Sequence, residues 1–76
     1  MTAIDKLKEV TAFLKSQGIE DAHKESEIIL THALKTDRTV LYRDNAAVTE
    51  KNIKDIGEIL RRRAKREPLQ YILGFV

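Results

Sequence analysis

Six residues near the C-terminal end, Arg61-Arg62-Arg63-Ala64-Lys65-Arg66, carry five cations. Three kinds of chemistry fit such a run. It can be a helix end whose cations satisfy the negative pole of the helix dipole. It can be a contact for an acidic protein partner or an adjoining domain. It can neutralise nucleic-acid phosphates. No aromatic residue is interleaved with it, so base stacking has no support. Other candidate groups are thinner. His23 and His32 lie nine residues apart on one predicted helix, about 13 Å along its axis, too far to share a metal. His23 and Glu27 have the i, i+4 spacing, but two ligands do not make a site. Ser16 and Ser26 have no base that could activate a nucleophile. Gly18, Gly57 and Gly74 are scattered, and a phosphate-cradling loop needs its glycines together. The sequence therefore offers a binding surface and no catalytic, cofactor or metal centre of its own.

The elements that would carry the basic run are helical. The chain has 76 residues with three Gly, one Pro and few aromatics, and 34% of it is charged. Ile, Leu and Ala recur at spacings of three and four, which marks amphipathic helices. A first helix is expected over about 3–17, with Thr2 as cap, Asp5 completing a capping box, and Gly18 as stop. Its apolar stripe is Ile4, Leu7, Val10 or Thr11, and Leu14, widened by Phe13. A second helix over about 21–35 starts near Asp21 and buries Ala22, Ser26, Ile29, Leu30, Ala33 and Leu34. A short third helix over about 39–43 carries Val40, Leu41 and Tyr42, and Asp44-Asn45 signals a turn. Thr49 caps a fourth helix whose stripe is Ile53, Ile56, Leu60 and Ala64, with Ile59 beside them. Gly57 inside that helix costs about 1 kcal/mol relative to Ala, which the close approach of a neighbouring helix would explain. Glu67-Pro68 stops the fourth helix. Pro68 then opens a short fifth one at its first position, packed by Leu69, Tyr71, Ile72 and Leu73 and ended by Gly74. The expected architecture is all-α, a small bundle of about five helices.

Composition bounds what such a bundle can be. A domain of this size buries only about 60% of the surface its unfolded chain exposes. Its core supplies a margin of roughly 3–5 kcal/mol. There are no cysteines, which suits a cytoplasmic setting and excludes disulfide staples. No apolar run is long enough to span a bilayer, and the N-terminus lacks the basic start and apolar run of a signal peptide. Charge is unevenly placed. Residues 1–60 hold nine Lys/Arg against eleven Asp/Glu, a net −2, whereas residues 61–76 carry a net +4. The apolar end, Phe75-Val76, implies a chain that continues, so residues 74–76 are read as the start of a linker and 1–73 as the domain.

Two stretches carry a family resemblance. Arg62-Arg63-Ala64-Lys65-Arg66-Glu67-Pro68-Leu69-Gln70-Tyr71-Ile72-Leu73-Gly74 resembles the link that follows the N-terminal domain of release-factor glutamine methyltransferases, the HemK or PrmC family. Glu25-Ser26-Glu27-Ile28-Ile29-Leu30-Thr31-His32 resembles that domain's Asp-Ala-Glu-Ile/Leu-Leu-Leu stretch, and Thr49 opening a long helix fits as well. The family usually has Gly before Glu-Pro, where this chain has Arg66, and Ala where this chain has Ser26. These departures bear on turn geometry between helices, not on catalysis. The resemblance implies a parent enzyme that methylates, at N5, the glutamine of a release factor's Gly-Gly-Gln loop. S-adenosylmethionine would be its cofactor, used by a Rossmann-like C-terminal domain. This helical domain would help to hold the release factor and would contact its own catalytic domain. No family catalytic residue falls within the sequence, so the candidate contacts are Arg61, Arg62, Arg63, Lys65 and Arg66. The alternative from another class is a small helical nucleic-acid-binding domain using the same cluster. The resemblance predicts that the coding sequence beyond Val76 specifies a glycine-rich cofactor loop and an Asn-Pro-Pro-Tyr motif. Reading that sequence checks it, and a stop codon directly after Val76 would contradict it.

Overall fold

The structure, a computed structural model, describes residues 1–74. Phe75 and Val76, and with them most of the expected linker, lie outside the described residues. Five helices follow one another: α1 (Ala3–Ser16), α2 (Ala22–Leu34), α3 (Arg38–Asp44), α4 (Glu50–Ala64) and α5 (Leu69–Leu73). The described residues contain no strand, and the all-α bundle expected from the periodicity is what forms. None of the helices is long and apolar enough to cross a membrane.

The helix ends follow from side-chain chemistry. Thr2 and Asp5 form the expected capping box on α1, and Thr49 forms a second one with Asn52 on α4. Each box satisfies backbone donors that the first helical turn leaves open. Asp37 caps α3 through the Val40 N–H at 2.9 Å, so that helix starts one residue earlier than its apolar pattern suggests. Asp21 occupies the N-cap of α2 without a side-chain bond. Gly18, at φ +77°, ends α1. The Ile19 N–H reaches the Leu14 carbonyl at 3.1 Å and the Gly18 N–H that of Lys15 at 3.0 Å, a Schellman closure.

α1 packs most extensively on α2, and α4 closes the bundle against both. The fully buried centre is Val10 and Leu14 of α1, Ser26, Ile29 and Leu30 of α2, and Ile56 of α4. Burying an aliphatic side chain of this size stabilises by about 1.5–3 kcal/mol, so the aliphatic members of this set are a large part of what holds the bundle together. The buried Ser26 hydroxyl donates to the Ala22 carbonyl at 2.6 Å and accepts from the Thr11 hydroxyl at 2.8 Å. That pairing is how a polar side chain occupies a position on the apolar face.

Three sequence expectations change. Ile53 is 40% exposed. The buried side of α4 runs through Ile56 and Ile59, and Ile53 falls at its edge. Tyr71 is 76% exposed rather than packed. Leu69, Ile72 and Leu73 share the inner side of α5, and a five-residue helix presents position 71 on the opposite side. Pro68 is the N-cap of α5, not its first residue, and its carbonyl accepts from the Tyr71 and Ile72 N–H groups.

Glu27 of α2 is buried and gathers donors from α3. It accepts from the Tyr42 hydroxyl and pairs with Arg38 Nε at 3.2 Å. His23 Nε2 lies 3.5 Å away, an ion pair when the imidazole is protonated. The Tyr42 bond, aided by the Arg38 and His23 charges and opposed by burial, holds the Glu27 carboxyl below its usual 4.5. Burial and the Glu27 contact push the Tyr42 phenol up to about 12 from 10.0. The signs differ. The lowered Glu27 contributes stability at neutral pH that is lost as pH falls below the ordinary carboxyl range. The raised Tyr42 contributes stability below pH 10 that is lost as pH climbs toward 12. Tyr42→Phe should cost about 1–2 kcal/mol at pH 7, the worth of a hydrogen bond to a partly shielded charge. It should also flatten the alkaline limb of stability against pH, measured by urea unfolding. An unchanged alkaline limb would contradict this assignment.

Candidate binding site at the end of the fourth helix

The run Arg61–Arg66 sits on the last turns of α4 and the turn beyond it. Its cations do not act as one patch. Three of them bind within the chain, each to a different element.

Arg63 is the most enclosed. Its Nε and Nη2 donate to the two carboxylate oxygens of Glu25 at 2.8 and 3.2 Å. Its Nη1 donates to the Glu67 carbonyl at 3.1 Å. The two side chains of the pair are only 18% and 16% exposed. A planar guanidinium presents its donors as a fork, which matches a carboxylate with two parallel bonds. The Glu25 bond raises the Arg63 pKa further, so this cation stays charged at any working pH.

Arg62 turns back along the chain. Its Nε and Nη2 both reach Glu67 Oε1, at 3.1 and 2.8 Å. The Glu67 carboxyl is held below its usual value first by that bond, with burial opposing and the Arg62, Lys65 and Arg61 charges assisting. The pair is more than a third exposed, where such contacts are worth little. Its role is to tighten the turn. The Glu67 N–H bonds the Arg62 carbonyl at 3.4 Å and the Arg66 N–H that of Arg63 at 2.9 Å, a Schellman closure like the one that ends α1.

Arg66 stands where the closure needs a left-handed residue, and its φ is +69°. This is the place where the resemblance leads one to expect glycine. A side chain there costs about 1–2 kcal/mol. The guanidinium offsets part of that, because its Nη2 donates to the Gln17 carbonyl at 2.6 Å. That carbonyl belongs to the C-cap of α1, at the negative pole of the helix, where a cation is favoured. The departure from glycine is therefore tied to a contact between two helix ends.

Arg61 and Lys65 are left over. Both are exposed, and neither forms an ion pair or a hydrogen bond among the described residues. They are the two members of the run whose charge is not taken up by a hydrogen bond or ion pair among the described residues. The division was not visible in the sequence, because it depends on Glu25, 38 residues before Arg63, and on Gln17, 49 residues before Arg66.

The remaining candidates fall elsewhere. Gly18 and Gly74 have positive φ and end helices. Gly57 lies inside α4, and a Cβ added there meets nothing within 4 Å. The close approach of a neighbouring helix, expected from the sequence, is therefore not made within the described chain, because Gly57 faces away from the bundle. His32 is exposed at the end of α2. No group of three or more metal-ligating side chains converges among the described residues.

The Arg66 geometry makes a paired prediction. Arg66→Ala keeps the left-handed backbone and loses the Gln17 bond, so it should destabilise by about 1 kcal/mol. Arg66→Gly loses the same bond but relieves the backbone, and should fall within about 0.5 kcal/mol of the parent. Urea denaturation of both variants checks this, and equal losses would remove the strain argument.

Comparison with known proteins places this arrangement. The PrmC N-terminal domain family matches residues 5–74. A release factor glutamine methyltransferase from Thermodesulfovibrio yellowstonii is 38% identical over 74 residues, 97% of this chain and 25% of its own length. Another, from Geobacter sulfurreducens, is 41% identical over 63 residues, 82% of this chain and 22% of its own length. The chain thus spans about a quarter of the length of these curated relatives. No solved structure matches it significantly. With the family match running over nearly the whole sequence, the chain belongs to the PrmC N-terminal domain family.

Proposed function

We propose that this chain is the non-catalytic, substrate-gripping domain of a release factor glutamine methyltransferase. The family match over residues 5–74 carries the reading. In it, the helical bundle helps to hold a peptide chain release factor in the cytoplasm. A catalytic domain elsewhere in the parent protein binds S-adenosylmethionine and transfers the methyl group to the glutamine of the Gly-Gly-Gln loop.

The basic end of α4 supports a protein-binding role. Within the five candidate residues, Arg62, Arg63 and Arg66 serve the fold, so they present a shaped platform rather than free charge. Arg61 and Lys65 supply the charge that a partner meets. The exposed Tyr71 on α5 offers an aromatic contact to the parent enzyme's own catalytic domain, since a large amphipathic ring is favoured at interfaces. Nucleic-acid binding through the whole run would need all five cations on phosphates, and three of them are bound internally.

Deleting residues 1–73 from the full-length enzyme should raise KM for release factor at least tenfold and change kcat less. A tenfold loss corresponds to about 1.4 kcal/mol of binding. Steady-state methylation assays with purified release factor measure both constants. Unchanged KM with lowered thermal stability would make the domain a structural cap and contradict the recognition role.

A further inference from the structure

The outer side of α4 combines two features that the fold itself does not use. The first is Gly57. It lies mid-helix and is exposed, and the space beside it is open. Glycine there weakens the helix by about 1 kcal/mol relative to Ala, and nothing in the described chain needs the missing side chain. The second is charge. Lys54, Arg61 and Lys65 are exposed, and none forms an ion pair or a hydrogen bond among the described residues. At 3.6 residues per turn, positions 54, 57, 61 and 65 fall on one side of the helix over about 16 Å. That side is opposite Ile56 and Ile59, which face the core. The result is a bare stretch of backbone between Lys54 and Arg61, with Lys65 one turn further on.

We propose that this face docks an acidic helix of the release factor, crossing α4 at Gly57. The proposal rests on the functional reading above and adds the surface and the chemistry of the partner. A missing Cβ lets another backbone come closer than a side chain allows. Carboxylates on the incoming helix would then meet Lys54 on one side of the crossing and Arg61 and Lys65 on the other. An apolar partner would strip water from three cations without pairing them, which is costly. A phosphate backbone would use the cations but has no need of the bare crossing point. Glu50, on the same side one turn before Lys54, and Glu58, at its edge, are also exposed; they would repel a continuous polyanion and favour a partner whose acidic groups are discrete.

The test uses the 76-residue chain labelled with nitrogen-15, titrated with unmethylated release factor at low and high salt. Amide shifts should concentrate at positions 54, 57, 58, 61 and 65 and weaken with salt. Gly57→Ala should raise Tm by about 4–8 °C, which shows that the glycine is not kept for the fold. Gly57→Gln, also in open space, should fold normally and weaken release-factor binding about tenfold or more. Lys54→Glu and Lys65→Glu should each weaken it several-fold and reduce its salt dependence. Folded Gly57→Gln and Lys54→Glu variants that bind as the parent does would overturn the docking face and leave the recognition role standing. No binding by the parent chain would overturn both. Shifts at this face produced by duplex RNA and not by release factor would overturn the acidic-helix assignment.

Discussion

The start of α2, the end of α4 and the turn that follows α4 meet at the Arg63 guanidinium. It takes both oxygens of Glu25 at the start of α2 and the backbone carbonyl of Glu67 in the turn before α5. Hydrophobic burial pulls the helices together, but burial has no direction. The fork of the guanidinium does, and it fixes how the end of α4 lies against α2. It also sets where the chain turns toward Pro68. The cost of removing one partner is large, because the other would remain as a poorly solvated charge. The two stretches that carry the family resemblance, 25–32 and 62–74, are thus joined by one side chain.

That clamp explains why the basic run is not a uniform patch. Neighbouring cations in a helix point in different directions, about 100° apart. Arg63 therefore turns inward, Arg62 folds onto Glu67, and Arg66 reaches the end of α1. Arg61 and Lys65 turn outward beside Lys54. Charge used to hold the bundle and charge left exposed to solvent come from the same six residues, separated by helical geometry. The first kind adds to a stability margin of only a few kcal/mol, whereas the second kind can be changed with little effect on the fold.

Much of the fold was legible in the sequence. The helix periodicity, the caps at Thr2 and Thr49 and the stop at Gly18 are local signals, and all of them form. What was not legible depends on contacts across the chain. The segment from Asn45 to Val48 pairs with the N-terminus. The Ala3 N–H bonds the Ala46 carbonyl at 2.8 Å, the Val48 N–H bonds that of Met1 at 2.9 Å, and the Asn45 side chain accepts from the Ile4 N–H at 2.9 Å. These bonds satisfy donors at the start of α1, and no local pattern announces them. Asn52 likewise reaches from α4 to the Ala33 carbonyl. Periodicity placed Tyr71 in an apolar segment but could not say which side of a five-residue helix faces in. A glycine inside a helix is more commonly a packing glycine, and only the open space around Gly57 shows otherwise.

Arg63 holds α2, α4 and the α5 turn in one arrangement through a directional, partly buried pair. A double-mutant cycle on Arg63→Ala and Glu25→Ala, read by urea unfolding, tests it most directly. The single variants should each cost about 2–3 kcal/mol, with a coupling energy of at least about 1.5 kcal/mol. Additive effects within about 0.5 kcal/mol would show that the pair is only a surface contact and that the helices are held without it.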